Sequence, residues 1–468
     1  MIALPKIAVA LLLSLTSGGT PRARGPRQRV DHHEQLVITA QLDGADEQGR
    51  GAPPVLLTTP AFYGTLAAVR AFGRSAIPVT IAGPTAWNVS AFSKYATENL
   101  ICPDTTDGEK LITWLEDFGR RRERHALLPT CDDTAWLYAR HRERLAKYFD
   151  VGTSDISAVH ALLHKGRLAE HARAVGLDAP RSWHPESESE LTQLLPELSF
   201  PLLVKATTQA LSPARHKGCV AHDAVQLREA YRSLRGLDHS QEIAAYDPSV
   251  VQPMVQEFFT DVSQSIYSIS GYIRNGQLYG ARAATKLLQR PRRLGVGLCF
   301  EEAELDPVLA AGVERLARRV GYSGVFEAEF VRSRGCSLLI DFNPRFYNQM
   351  GFDVARGAPL PLLAYYDALD RGASLLPPED AQRHEPTGKV FVYSSAFKVM
   401  VTTQRLSGAL SQEEARTWRE WFDASSSQHV DAVIDSDDVW PGRFDALQML
   451  HYHLRHPRAF FRSIVMNR

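Results

Sequence analysis

The stretch FEAEFVRSRGCSLLIDFNPRF, Phe326 to Phe346, alternates apolar and polar residues on both sides of a glycine-containing turn and stops at Asn-Pro. Alternation with a period of two belongs to strands with one buried face, so the segment reads as a tight β-hairpin. Phe326, Ala328 and Phe330 share one face of its first strand, and Glu327, Glu329 and Val331 share the other. In the second strand Leu339, Asp341 and Asn343 share a face. With Arg334, Gly335 and Cys336 as the loop, Val331 pairs with Leu339 and Glu329 with Asp341. Directly opposed side chains have Cβ atoms about 4.5–5.5 Å apart, and like charges there repel. A positive group is therefore expected between the two acids. A hard divalent cation suits these oxygens, and Asn343 adds a neutral one. Pro344 ends the ladder, and Arg345 leaves it as a cation able to grip a carboxylate or phosphate with two hydrogen bonds. The competing reading is a solvated hairpin with scattered acids.

At 468 residues the chain is too long for one ordinary core, so two to four domains are expected. Lys plus Arg equal Asp plus Glu at 53 each, which leaves no net field to hold a phosphate backbone and argues against nucleic acid as a partner. The five cysteines are far apart and form no C-x-x-C, which points to a reducing, cytoplasmic compartment and away from a disulfide framework. Against that stands LPKIAVALLLSLTSGGTPRARG near the amino terminus, a short apolar run with one lysine before it. It is too short to cross a bilayer, and export, anchoring or an unstructured extension are the readings it leaves open. Residues 1–52 are expected to be a leader.

From residue 53 an α/β pattern begins. The run VLLTT, an amphipathic stretch from Leu66 to Phe72 and the run IPVTIAG form a β-α-β unit, which implies parallel strands. No G-x-G-x-x-G follows, so a dinucleotide site there is not expected. Asp132 and Asp133 fall at the carboxyl end of a later strand, where crevices of open α/β sheets lie. Leu162, Leu163, Leu168, Ala172 and Val175 recur at helical spacing, with Lys165 near the start and Gly176 and Pro180 at the end. A helix amino terminus disfavours a cation. Lys205 closes the apolar strand FPLLVK, where its charge must find an anion. Asn275-Gly276 is a strong hairpin signal.

Taken in order, these motifs resemble the ATP-grasp superfamily, in particular carbamoyl-phosphate-synthase-like and D-aspartate-ligase-like carboxylate-amine ligases. Glu329, twelve residues before Asp341, and the run Asp341, Asn343, Pro344, Arg345 match the superfamily's metal-binding signature. Lys165 and Lys205 fall where its nucleotide-contacting lysines occur, and VQEFF, with Gln256, Glu257 and Phe259, resembles the hinge whose backbone reads the adenine. The loop after Lys205 is glycine-rich in many members but holds only Gly218 here; Thr207, Thr208, Ser212 and Lys217 are the residues left to cradle phosphates.

The resemblance implies an α/β and α+β architecture. It places an N-terminal parallel α/β domain at 53–155 and a two-lobed ATP-grasp fold at 156–375, with lobes at 156–253 and 254–375. A mainly helical region at 376–468 lies beyond it. ATP with Mg²⁺ or Mn²⁺ is the implied cofactor set, held by Lys165, Lys205, Lys217, Gln256, Glu257 and Phe259 for the nucleotide and by Glu329, Asp341 and Asn343 for the metal. Arg345, Lys205 and Asn343 are the implied catalytic residues. Lys286, Arg290 and Arg293 form a cationic patch that either holds a substrate carboxylate or is plain surface. The implied reaction activates a carboxylate as an acyl phosphate and joins it to an amine, the partners being small molecules such as amino acids. A nucleotide-binding regulator without ligase chemistry and a bicarbonate-using carboxylase are the alternatives. Assembly into homo-oligomers is left open, and membrane contact is not expected.

Overall fold

The computed structural model describes residues 52–212, 218–237, 240–259, 266–290, 295–333, 335–370 and 386–455. The expected leader, Lys217 and Arg293 lie outside them. Strands β1 (Val55–Thr58), β2 (Val79–Gly83), β3 (Glu98–Ile101), β4 (His125–Leu127) and β5 (Phe149–Val151) form a parallel sheet in the order β3-β2-β1-β4-β5. β1 is buried along its whole length, as a strand covered on both faces must be. Val55 and Leu57 pack with Ala68, Val69 and Phe72 of the helix Tyr63–Arg74. Leu56 packs on the opposite face with Leu111, Ile112 and Leu115 of the helix Gly108–Arg121. The strand order reverses between β1 and β4, and the crevice outside their carboxyl ends is the place where such sheets take ligands.

β6 (Ser182–Trp183), β7 (Leu202–Lys205), β8 (Cys219–Ala221) and β9 (Met254–Glu257) make a second sheet, antiparallel, in the order β6-β9-β7-β8. Leu227, Tyr231 and Leu234 of one amphipathic helix, Ala224–Arg235, cover it.

The third sheet is the largest. It holds β10 (Ile266–Arg274), β11 (Gln277–Arg290), β12 (Val296–Ala303), β13 (Gly324–Ser333), β14 (Cys336–Asn343), β15 (Val390–Val392) and β16 (His429–Asp431), in the order β14-β13-β10-β11-β12-β15-β16. Asn275 and Gly276, with φ of 52° and 72°, form the two-residue turn between β10 and β11, as the left-handed geometry of a tight hairpin requires. One face of this sheet carries Tyr267, Ile269, Phe326, Ala328, Phe330 and Phe342 into a core with the helix Pro307–Val320. The opposite face carries the acids of β13 and β14.

Three expectations are corrected. The β13–β14 loop is shorter than three residues, because Ser333 pairs with Cys336 and Val331 with Leu338. A β-bulge between Glu329 and Phe330 absorbs the difference, so Glu329 still faces Asp341 and Glu327 faces Asn343. The single helix expected around Lys165 is two, Ile156–Leu163 and Lys165–Ala174, broken at His164. The carboxyl-terminal region is not helical throughout: besides the helices Ser394–Leu406, Gln412–Ala424 and Trp440–Arg455 it supplies β15 and β16 to the third sheet. Among the described residues no helix is long and apolar enough to cross a membrane.

Candidate active site

The opposed acids of β13 and β14 each have a lysine. Lys286 Nζ donates to Glu329 Oε1 at 2.7 Å, and Lys165 Nζ donates to Asp341 Oδ1 at 2.6 Å. Lys286 reaches Glu329 because β11 and β13 flank β10 in one sheet. Lys165 opens its helix, where the dipole opposes a cation, and Asp341 offsets that penalty. The expected positive charge between the acids is thus supplied by the protein itself. Lys205 is 7% exposed at the end of β7 and makes no hydrogen bond or ion pair with any described residue. Burial first, and then Lys165, push its ammonium down to about 7, while Asp341 and Glu329 pull the other way.

A second pair of acids joins them. Glu327, 3% exposed, accepts from Asn343 Nδ2 at 3.1 Å and from the Gln349 side-chain amide. Its carboxyl is pushed up to about 8, by burial foremost and by Glu329 next. Asp132, the first residue of the helix Asp132–Arg140 beyond β4, accepts from Arg345 Nε at 2.8 Å. Arg345 also donates to Asn343 Oδ1 at 2.9 Å and to the Phe346 carbonyl at 3.0 Å. Burial alone would lower this guanidinium, but Asp132 outweighs it and raises it.

These side chains, Lys205 excepted, line a cavity of about 130 Å³, bounded also by Gln209, Gly297, Phe300 and Asn348. A larger cavity of about 480 Å³ lies against Arg345 from another side, between the loop after β5 and Tyr272 and Tyr322. Two ion pairs stand in its wall, Arg124 with Asp150 at 2.6 Å and Arg142 with Asp155 at 2.9 Å. The crowding of like charges, and with it the chemistry, belongs to the smaller cavity.

Other expected residues stand elsewhere. Met254, not Gln256 or Glu257, pairs with Lys205, so Gln256 and Glu257 lie about 7 and about 10 Å further along β9. Gln256 Nε2 donates to Ser182 Oγ at 3.1 Å, the Glu257 amide donates to the Arg181 carbonyl at 2.9 Å, and Phe259 is half-buried just beyond. Arg290 ends β11, some 13 Å along the strand from Lys286, and does not line the cavity. Thr207 and Thr208 are buried, with Thr207 bonded to the Gln252 carbonyl and Thr208 accepting from the Ala210 amide, so they face inward and are not open to a phosphate. Asp133 is held by the Leu211 amide and Thr105. Asp132, Glu327 and Gln349 were not assigned from sequence. The alternation of β13 placed Glu327 on the acid face, but no local signal connects Asp132 to Arg345.

The oxygens of Glu327, Glu329, Asp341 and Asn343 are the hard donors that Mg²⁺ takes. Among the described residues no cluster of three His, Cys, Asp or Glu is placed to cage an ion. Oxygens of this kind suit a cation that completes its shell with phosphate oxygens, as Mg²⁺ does at nucleotides.

No protein-family model and no curated protein matches the chain. Solved structures do. With a TM-score of 0.53 and 14% identity, 69% of the chain superposes on 72% of a biotin carboxylase from Campylobacter jejuni, solved with beta-gamma-ATP. An L-amino acid ligase from Bacillus licheniformis matches with a TM-score of 0.53 and 13% identity, over 73% of this chain and 79% of the ligase. For a phosphoribosylglycinamide synthetase from Anaerococcus prevotii the TM-score is 0.50, at 13% identity over 73% and 80% of the two chains. The fold is that of the ATP-grasp enzymes.

Proposed function

We propose that this chain is an ATP-dependent ligase that activates a substrate carboxylate and joins it to an amine. A carboxylate oxygen attacks the γ-phosphorus, the bond to the β-phosphate breaks, and ADP leaves. The amine nitrogen then attacks the acyl carbon, phosphate departs, and the nitrogen loses a proton. The observation that carries this reading is the crowd of ionisable groups in one small cavity, Lys165, Lys286 and Arg345 with Glu327, Glu329 and Asp341, and Lys205 close enough to feel them.

Phosphoryl transfer needs alignment and charge neutralisation more than covalent help. Lys165 and Lys205 bind the nucleotide phosphates, and Lys217 is a further candidate for that role. Gln256, Glu257 and Phe259 take the adenine end. Arg345, held by Asp132, orients the carboxylate or the transferring group, with Lys286 beside it. Glu329, Asp341 and Asn343 hold the metal, and Mg²⁺ or Mn²⁺ there supplies neutralisation of the phosphate oxygens. Arg290 and Arg293 are further candidates for the substrate's own carboxylate. Amino acids suit both roles, acid and amine, and such a reaction belongs where ATP is plentiful, in the cytoplasm.

The test is ADP and phosphate release with pools of amino acids and Mg²⁺. Release that needs both an acid and an amine supports the ligase. ATP binding without release supports a regulator, and release driven by bicarbonate without an amine supports a carboxylase.

A further inference from the structure

Resting on the reading of Lys165 as a phosphate-binding residue, we propose that a hydrogen-bond relay of His164, Ser249, Asp247 and His160 sets the position of that lysine. These four are positioning residues for nucleotide binding and touch no reacting atom.

The relay begins at the helix break. His164 leaves the helical conformation with φ −88° and ψ 104°, and Lys165 thereby becomes the first residue of a new helix. At the break the Lys165 amide donates to the Thr207 carbonyl at 2.9 Å, and not to its own helix. His164 caps the new helix, its Nδ1 accepting from the Arg167 amide at 3.2 Å. The other ring nitrogen then carries the hydrogen and donates to Ser249 Oγ at 3.1 Å. Ser249 Oγ donates in turn to Asp247 Oδ1 at 2.7 Å. Asp247 Oδ2 accepts from His160 Nε2 at 2.9 Å, and His160 Nδ1 accepts from Trp136 Nε1 at 3.3 Å. Every hydrogen in the chain has one direction and one acceptor.

A serine or aspartate would cap a helix as well as a histidine does. What the histidine adds is a second arm that fastens the cap to another segment, so that the start of the helix is fixed in space and not only in conformation. Lys165 is the next residue, and its Nζ must land within hydrogen-bonding distance of Asp341. His160, His164 and Asp247 are 3%, 6% and 6% exposed, whereas Ser249 is exposed. Removing the serine hydroxyl therefore cuts the relay without opening a cavity. Burial pushes His164 down to about 4, so the ring stays neutral and keeps one nitrogen free to accept. Arg167 adds two bonds to Asp247 from the helix that Lys165 begins, at 3.0 and 2.8 Å.

The experiment uses the full chain with Ser249→Ala, Ser249→Thr and His164→Asn; asparagine can still cap but is too short to reach Ser249. Labelling by an amine-reactive reagent, read peptide by peptide, reports the freedom of Lys165 whether or not the protein turns over. We expect the Lys165 rate to rise about threefold or more in Ser249→Ala and His164→Asn, with surface Lys94 unchanged and Ser249→Thr close to wild type. In turnover, KM for ATP should rise about tenfold with kcat far less affected, and Ser249→Ala should add nothing in a Lys165→Met background. Unchanged labelling, or an equal loss in the Lys165→Met background, overturns the proposal. A wild type that neither binds nor consumes ATP overturns the ligase reading instead, and labelling alone then decides the relay.

Discussion

Two polar clusters are joined through the neighbours His164 and Lys165, and the fold treats them differently. Around Asp247 the donors of Ser249, His160 and Arg167 converge on one carboxylate. Burial alone would raise that carboxyl, but those bonds hold it well below the ordinary range. At the cavity of β13 and β14 the balance runs the other way: Glu327, which lines it, is pushed up to about 8, and Lys205, which feels its charges from outside the lining, down to about 7. Both groups there are driven towards neutrality although acids and lysines are near neighbours. A cluster that completes itself is scaffolding, and one that leaves an acid and a lysine strained is shaped for charges it does not contain.

Breaking each side of this contrast should give different losses. Asp341→Asn or Glu329→Gln should cut phosphate release by about 10³-fold or more, with a fall in melting temperature as the lesser effect, since each leaves Lys165 or Lys286 without its carboxylate. Wild-type turnover in either variant would remove the cavity from the mechanism. Asp247→Asn should do the reverse in kind, lowering unfolding stability by about 3–5 kcal/mol in a denaturant titration, because charged and polar partners are left buried without their acceptor. A loss below about 1 kcal/mol would mean that the cluster is not closed as described.

Two smaller effects follow from protons. His164 titrates at about 4 in the fold and near 6.5 when unfolded, so between these values the unfolded chain binds more protons. The stability contributed is fully present above about 6.5 and lost as pH falls towards 4, by about 3 kcal/mol at most. In His164→Asn this acid-side decline in melting temperature should shrink. Lys205 gives the finest probe. Its lowered value means that, above pH 7, binding a polyphosphate should draw a proton onto it. At pH 8.5 the calorimetric enthalpy of ATP binding should therefore depend on buffer ionisation, by up to about one proton, and Lys205→Met should abolish that dependence.

What could be read from sequence is the part that short-range rules govern. The pleat placed Glu327 and Glu329 on one face, and spacing brought Asp341, Asn343 and Arg345 near them. The turn at Asn275-Gly276 followed from backbone sterics. The bulge next to Phe330 did not, because it arises where the register set by the two-residue turn, which puts Phe330 opposite Leu339, gives way to the one that puts Glu329 opposite Asp341. The helix break at His164 was hidden for a related reason: apolar spacing continues straight through it, and only contacts with Ser249 and Thr207 show why the chain turns there. Asp132 meets Arg345 across 213 residues of sequence, a pairing with no trace in local pattern.

The attachment of β15 and β16 beyond β12 has a practical meaning for anyone shortening this protein. A chain cut after Asp370 would leave β12 with a bare row of amides and carbonyls that β15 now satisfies. Such a margin recruits strands from other molecules, so the shortened protein should precipitate or form fibrils even with every catalytic side chain intact.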